Sequence, residues 1–313
     1  MRLSICTDAM SDLSFTDMLD KCVKLGVEGL EMTGGGWSRA PHFRADELLK
    51  DKGLLNRKLK EIAARGLEIA ALNCSANALD PGLMGQRHRL EMEQTIRLAG
   101  DIGVKKIVTM SGLPEAAPGD SVPNWLVYTK SWPDEMPERD RYQWQDRAFP
   151  LWHELVKLAT EVGVEKFALE NFSAMLVWNP ETLFRLRNEV GPMVGMNLDP
   201  SHLFWMGADP IAGARALGDA IHHVHGKDTR IERGMADVNG LLELRDVTDV
   251  ANRAWNYVAV GAGHDLQWWK EFFSVVGMQG YNDWVSLEME DFTMSTNAGI
   301  QSSIDALQAS ILR

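Results

Sequence analysis

Along this chain one local pattern returns at intervals: a stretch with helical spacing of apolar positions ends in glycine, and a short apolar run follows. It reads LGVEGLEM from Leu25, RGLEIAAL from Arg65, IGVKKIVTM from Ile102 and VGVEKFALE from Val162. Looser copies are VGPMVGMNLD from Val190, LGDAIHHVHGKD from Leu217 and VGMQGYNDWVSLEME from Val276. Glycine suits the left-handed residue just past a helix, where a side chain would clash. The runs that follow are short and mostly continuous in apolar character, as in strands buried on both faces of a parallel sheet.

Seven such junctions and the opening RLSIC predict eight strands, near 2–7, 27–32, 67–73, 104–110, 164–170, 193–199, 219–225 and 282–288. The stretches between them carry helical spacing, as in Leu19, Cys22 and Val23, or Met92, Ile96 and Ala99, or Leu155, Leu158 and Ala159. Asn179-Pro180 and Asp209-Pro210 each set a capping side chain before a proline at the first helical position. Strand and helix thus alternate from end to end, which points to the α/β class. Eight units favour a closed (β/α)8 TIM barrel in a single domain over an open doubly wound sheet. No GxGxxG turn follows the first strand, which counts against a Rossmann fold. Two strand-to-helix connections are long, 111–147 after the fourth strand and 227–266 after the seventh. Long loops in compact domains are usually functional, and in a barrel they gather at the mouth.

A chain of 313 residues can bury a core without disulfides or a structural metal. Its formal charge of −12 disfavours a nucleic-acid or anionic-membrane partner, since phosphate binding relies on basic patches. Cys6, Cys22 and Cys74 are odd in number and widely spaced, as expected of reduced thiols in a cytoplasmic protein. MRLSICTDAM lacks the apolar core of a signal peptide, and no run of apolar residues is long enough to span a membrane.

The chemistry sits where the last four barrel strands end. The runs close on Phe167-Ala168-Leu169-Glu170, on Met196-Asn197-Leu198-Asp199, on His223-Val224-His225 and on Ser286-Leu287-Glu288. Strand alternation can point Glu170, Asp199, His225 and Glu288 into one mouth. Three carboxylates crowded into a low-dielectric pocket repel, and each costs several kcal/mol to bury unpaired. A divalent cation removes that cost. An oxygen-rich set with one imidazole suits Mn²⁺ or Mg²⁺ best, with Co²⁺, Fe²⁺ and Zn²⁺ also compatible. Any one of these residues alone is as readily an ordinary loop-fixing group; four in matching positions are harder to explain that way.

NLDPSHLFWMGADP (197–210), HVHGKDTR (223–230) and VSLEMED (285–291) resemble the xylose isomerase-like, sugar phosphate isomerase/epimerase superfamily. LNCSANALDP (72–81), PNW (123–125) and VWNPETL (177–183) resemble one subgroup of it, so the likeness spans nearly all of residues 1–313. The resemblance implies one Mn²⁺-like ion held by Glu170, Asp199, His225 and Glu288. It also implies that Glu170 and Glu288 face opposite sides of a bound sugar as acid and base. A metal-stabilised enediolate is then common to epimerisation, isomerisation and elimination. The leading expectation is an isomerase or epimerase of a keto-sugar or related polyol ketone. The alternative is a lyase on the same site, similar to inosose dehydratases or to enzymes that cleave 3-oxo-glycosides and C-glycosides. Two further classes fit less well. A barrel AP endonuclease needs several zinc ions and more strand-end histidines, and a non-catalytic sugar-binding barrel leaves the ligand set unexplained.

Around this set His202 is expected to bind substrate oxygens, as the resemblance implies. Lys227 is expected just above the metal, holding a substrate oxygen or pairing with Asp228 or another mouth carboxylate; Arg230 is a weaker group of the same kind. Asn73 and Asn77 are expected to donate to hydroxyls or to serve turn chemistry. His223 reads as a hydrogen-bonded core histidine, His222 as facing outward, and His264 as an incidental loop residue. Glu290 and Asp291 are expected at the rim or in solvent. Trp37, Trp125, Trp132, Trp144, Trp178, Trp205 and Trp255 fall in the expected mouth loops and suggest a partly apolar substrate pocket, Trp125 foremost. Phe172 stands where many subgroup members carry a histidine two residues after the strand-five glutamate. The resemblance allows a homo-oligomer or a hetero-complex, and the expected partner is a small carbohydrate.

Overall fold

A computed structural model describes residues 1–127 and 133–311; Trp132 lies outside the described residues. Eight parallel strands form a closed barrel: β1 (Arg2–Cys6), β2 (Gly29–Thr33), β3 (Glu68–Cys74), β4 (Lys106–Thr109), β5 (Lys166–Glu170), β6 (Val194–Leu198), β7 (Ile221–Gly226) and β10 (Trp284–Leu287). They run around the barrel in sequence order, with β10 closing back onto β1. Each falls within a residue or two of an expected run. β8 (Asp228–Ile231) and β9 (Trp255–Val258) form a separate antiparallel pair.

The strands form where the apolar runs are because both of their faces are covered. β2, β4, β6, β7 and β10 are buried along their whole length. The helix stops are those the glycines announce: Gly26, Gly103 and Gly163 cap their helices at φ 71, 75 and 81°. Both expected starts are capped as well. Asn179 accepts from Thr182 N at 2.9 Å ahead of Pro180–Val190, and Asp209 accepts from Ile211 N at 2.9 Å ahead of Pro210–Leu217.

By internal packing the chain comprises two compact units, with divisions that fall inside β2, β3 and β6. One is Met1–Glu31, Glu61–Ala70 and Asn197–Arg313; the other is Met32–Lys60 and Ala71–Met196. In the second unit the helices Leu83–Ile102 and Phe149–Val162 pack together, and Ala71, Val108 and Ala168 form a buried cluster of small side chains. In the first, Leu266–Met278 packs between Pro210–Leu217 and Thr296–Ser310. No helix among the described residues is long and apolar enough to cross a membrane.

The expected long loops are not structureless. The connection after β4 carries the helix Met136–Arg141 and a π-helical turn, Tyr142–Ala148. The connection after β7 carries the β8–β9 pair and the helix Arg233–Asn239. This insert shares a small core with the helix Pro200–Trp205, which precedes β7. Trp205 and Trp255 stack at 4.8 Å and 7°, both 7% exposed, with Ala236 and Ala254 beside them. These two indoles therefore fill an interior and do not line a mouth. Trp144 is buried too, with the Arg185 guanidinium 4.3 Å over its ring. Trp125 and Trp178 meet edge to face at 6.1 Å and border a cavity of about 570 Å³ within the second unit.

Candidate metal centre

β7 sets the site. Its alternation turns His223 and His225 to one side, both fully buried, and its register pairs His225 with Ser286 of β10. The next residue along from β10 is Glu288, and from β6 it is Asp199. Asp199 caps the helix Pro200–Trp205 through Oδ1, which accepts from Ser201 N at 2.8 Å. That bond fixes the carboxylate and leaves Oδ2 facing His202 Nε2 at 3.2 Å and His225 Nδ1 at 3.9 Å. Glu288 Oε2 lies 3.1 Å from His225 Nδ1. The other ring nitrogen, His225 Nε2, lies 3.2 Å from Glu31 Oε2 on β2.

The Lys227 ammonium closes the group from above, donating to Glu288 Oε2 at 3.1 Å and to Glu290 Oε2 at 2.6 Å. It also sits 4.4 Å over the ring of Tyr257, whose hydroxyl lies 2.9 Å from His202 Nδ1. Lys227 thus takes the carboxylate-paired alternative, with Glu288 and Glu290 as its carboxylates. Asp228 does other work: its carboxylate accepts from the backbone N–H groups of Gly261, Gly263 and His264 and binds the His264 ring.

The electrostatics follow from burial and mutual charge. Burial would raise the Glu31 carboxyl, yet the neighbouring His225 and His223 hold it well below the usual range. Burial likewise opposes ionisation of Asp199, and His202 outweighs it. For Glu288 the Lys227 ammonium and then His225 overcome burial and hold the group low. Lys227 itself is pushed well above its ordinary value, since Glu288 and Glu290 more than offset its desolvation. Asp199 and Glu288 therefore place two negative charges beside the Nδ1 edge of His225, with the Lys227 ammonium on Glu288, while Glu31 faces the Nε2 edge of the same ring. At about 4 Å and an effective dielectric of 20, two like charges repel by about 4 kcal/mol. A divalent cation fits that donor set: it offsets the carboxylates and takes the Nδ1 lone pair.

Among the described residues of the first unit, Asp199, His225 and Glu288 bring donor atoms within 4.8 Å of one another, as do Cys6, Glu31 and His225, and either group could hold a metal ion. The first holds three of the four expected ligands. Glu170 ends β5 and is 3% exposed. The second was not foreseen.

Several expected site residues serve the fold. Asn73 lies in β3, not in the loop beyond it, and its Oδ1 accepts from Ser75 N at 2.8 Å, which is turn chemistry. Asn77 spans two loops, bonding Leu113 through both its oxygen and its nitrogen. Arg230 turns to Glu232 at 2.7 Å. His223 is the expected core histidine, 2.9 Å from both Glu31 Oε2 and Ser286 Oγ. His222 is also buried, at 5% exposure. His264 stacks on Phe204 at 3.6 Å and 9°. Asp291, buried at 6%, accepts from Ala259 N and Thr293 N and is not solvated.

Sequence reasoning missed Glu31 and Tyr257. The first left a signal, a glutamate inside the apolar run GLEMT, where an unpaired carboxylate would cost several kcal/mol. Tyr257 left none, because its segment lacks strand alternation.

The model of the xylose isomerase-like TIM barrel family matches residues 19–310. A protein of Bacillus subtilis strain 168, the uncharacterized protein YfiH, is 60% identical over 311 residues, 99% of each chain. Three solved structures share the fold. The probable 3-DHS dehydratase AsbF of Bacillus anthracis has a TM-score of 0.68 at 22% identity, covering 98% of this chain and 99% of that one. The IOLI protein with a bound zinc atom has a TM-score of 0.68 at 20% identity over 99% and 98%. A D-psicose 3-epimerase with D-tagatose, from Clostridium cellulolyticum H10, has a TM-score of 0.64 at 16% identity over 99% and 98%. On the family match, borne out by the closed eight-stranded barrel, this chain belongs to the xylose isomerase-like TIM barrel family.

Proposed function

We infer that this chain is a divalent-metal-dependent isomerase or epimerase acting on a keto-sugar or related polyol ketone. The observation that carries the reading is the convergence of Asp199, His225 and Glu288 on one patch, with the Lys227 ammonium 3.1 Å from Glu288. In this reading Glu170 is the fourth ligand, from the strand next to β6 in barrel order. Solved structures of the same fold include one with a zinc atom and a D-psicose 3-epimerase with D-tagatose, which supports the metal and the substrate class. We take Mn²⁺ as the ion that best suits three carboxylates and one imidazole.

When bound, a divalent cation supplies the charge that polarises a ketone and its neighbouring hydroxyl. The chain's own groups handle the protons. Glu170 and Glu288 are assigned as the two carboxylates that remove a proton beside the ketone and return one from the opposite face. Lys227 stabilises charge on the Glu288 side, where its ammonium can donate to a developing oxyanion. His202, engaged by Asp199 and Tyr257 through its two ring nitrogens, orients Asp199. Trp125 is assigned to the apolar part of the substrate.

Elimination from the same site is the second reading, and the observation that favours it is the cavity bordered by Trp125 and Trp178, whose aromatic wall suits an aglycone. NMR in deuterated water separates the two. Metal-loaded protein is incubated with ketopentoses, ketohexoses and inosose-type ketones. Deuterium beside the carbonyl with the skeleton intact is expected; loss of water or an aglycone supports elimination. No exchange into any ketone with any divalent ion overturns both.

A further inference from the structure

We propose that Glu31 is a positioning residue that holds His225 through Nε2, so that Nδ1 is the nitrogen presented to the metal and the Cys6–Glu31–His225 group is not a second metal site. This rests on the reading of Asp199, His225 and Glu288 as ligands. The two ring nitrogens of His225 face different company. Nδ1 looks to Glu288 Oε2 at 3.1 Å and Asp199 Oδ2 at 3.9 Å; Nε2 looks to Glu31 at 3.2 and 3.3 Å and to the Cys6 sulfur at 3.8 Å. One imidazole cannot give Nε2 both to a cation and, as N–H, to a carboxylate. With Glu31 nearer than Cys6, and acceptor-only when ionised, Nε2 carries the proton.

Glu31 is held where it is. It is fully buried, and its Oε2 also accepts from His223 Nε2 at 2.9 Å. His223 Nε2 in turn lies 2.9 Å from Ser286 Oγ, which pairs with Ser4 Oγ at 2.7 Å. The carboxylate is therefore gripped between two imidazoles of the same strand, and a chain of hydroxyls backs the second of them. Carboxylate–histidine–metal arrangements of this kind fix the tautomer and the plane of a ligating ring. The donor chemistry agrees. Three carboxylates and Nδ1 make a hard set suited to Mn²⁺, whereas a thiolate, a carboxylate and Nε2 would make a softer one.

The test loads the full chain, labelled with ¹⁵N-histidine, with ¹¹³Cd²⁺ and reads the one-bond cadmium–nitrogen coupling of His225. Coupling to Nδ1, with Nε2 protonated, is expected. In parallel, Co²⁺-loaded protein should show no thiolate-to-cobalt charge-transfer band, and Cys6→Ser should leave the Co²⁺ spectrum and affinity unchanged. Glu31→Gln, checked for folding by circular dichroism, should weaken metal binding by about 10–100-fold. Coupling to Nε2, a thiolate band that Cys6→Ser removes, or wild-type affinity in folded Glu31→Gln would each overturn the assignment of Glu31 and leave the ligand reading standing. A folded wild-type chain that binds no cadmium, cobalt or manganese overturns the ligand reading itself.

Discussion

Replacing Asp228 by alanine is expected to destabilise the protein by about 3–6 kcal/mol. The carboxylate is fully buried and its Oδ2 accepts from Gly261 N at 3.0 Å, Gly263 N at 3.1 Å and His264 N at 3.0 Å. Oδ1 adds Thr229 N and the His264 ring, each at 2.8 Å. Alanine leaves three loop N–H groups in the interior without an acceptor, at about 1–2 kcal/mol each. The His264 ring, 27% exposed, and the long 3.4 Å bond from Trp269 Nε1 add little. The loop has no alternative close fit, because it already approaches so tightly that a Cβ on Gly263 would stand 2.4 Å from Thr229 O. Asparagine keeps the shape and one oxygen but turns an amide N–H toward donors, so Asp228→Asn should lose about half as much. Urea unfolding measures both, read as the shift in midpoint at constant slope. Asp228→Ala within about 1 kcal/mol of wild type, the size of an ordinary substitution, would refute the reasoning and mean that water replaces the carboxylate.

Three other outcomes follow from the same accounting. Lys227→Met strands Glu288 and Glu290, whose side chains are 24% and 43% exposed, so the loss should be about 2 kcal/mol, below the 3–5 of a fully buried pair. Saturating Mn²⁺ should restore most of that thermal stability, and an equal deficit with and without metal would count against the site. Glu243 is held at about 2 because backbone N–H groups of Arg245, Ala254 and Leu244 overcome its burial. Its folded value lies below the ordinary 4.5, so its contribution is complete above about pH 4.5 and lost as the pH falls toward 2. Pepsin cleavage within 240–254 should therefore rise across that window, and Glu243→Gln should cleave at the fast rate throughout. Burial pushes the Cys22 and Cys74 thiols up to about 12, so both should resist a disulfide reagent at pH 8 until the chain unfolds.

The barrel was legible because each strand repeats the same two demands: a glycine past the helix and a run apolar on both faces. Asp199, His225 and Glu288 were legible for a related reason, since a polar residue that ends such a run has few places to point except the mouth. Glu31 was less visible because it interrupts a run instead of ending one, and its partners, His223 and His225, are some 190 residues away. The β8–β9 pair was hidden by its composition. Its stability comes from Trp205 stacking on Trp255 and from the Asp228 carboxylate, contacts that no local period announces. The same distance explains why tryptophans that look like a sugar platform in the sequence turn out to pack against each other. Asn73 and Asn77 show the limit of reading loop amides, which serve turns as readily as ligands.

The most direct test is metal stoichiometry and affinity in the purified chain and its Asp199→Asn variant, measured by elemental analysis and titration calorimetry. One divalent ion per wild-type chain is predicted, bound at least about 100-fold more weakly when Asp199 is changed, a ligand's removal exceeding the 10–100-fold effect of an outer partner. A folded wild-type protein that retains no ion, or a variant that binds as tightly as the wild type, would contradict a metal held by Asp199, His225 and Glu288.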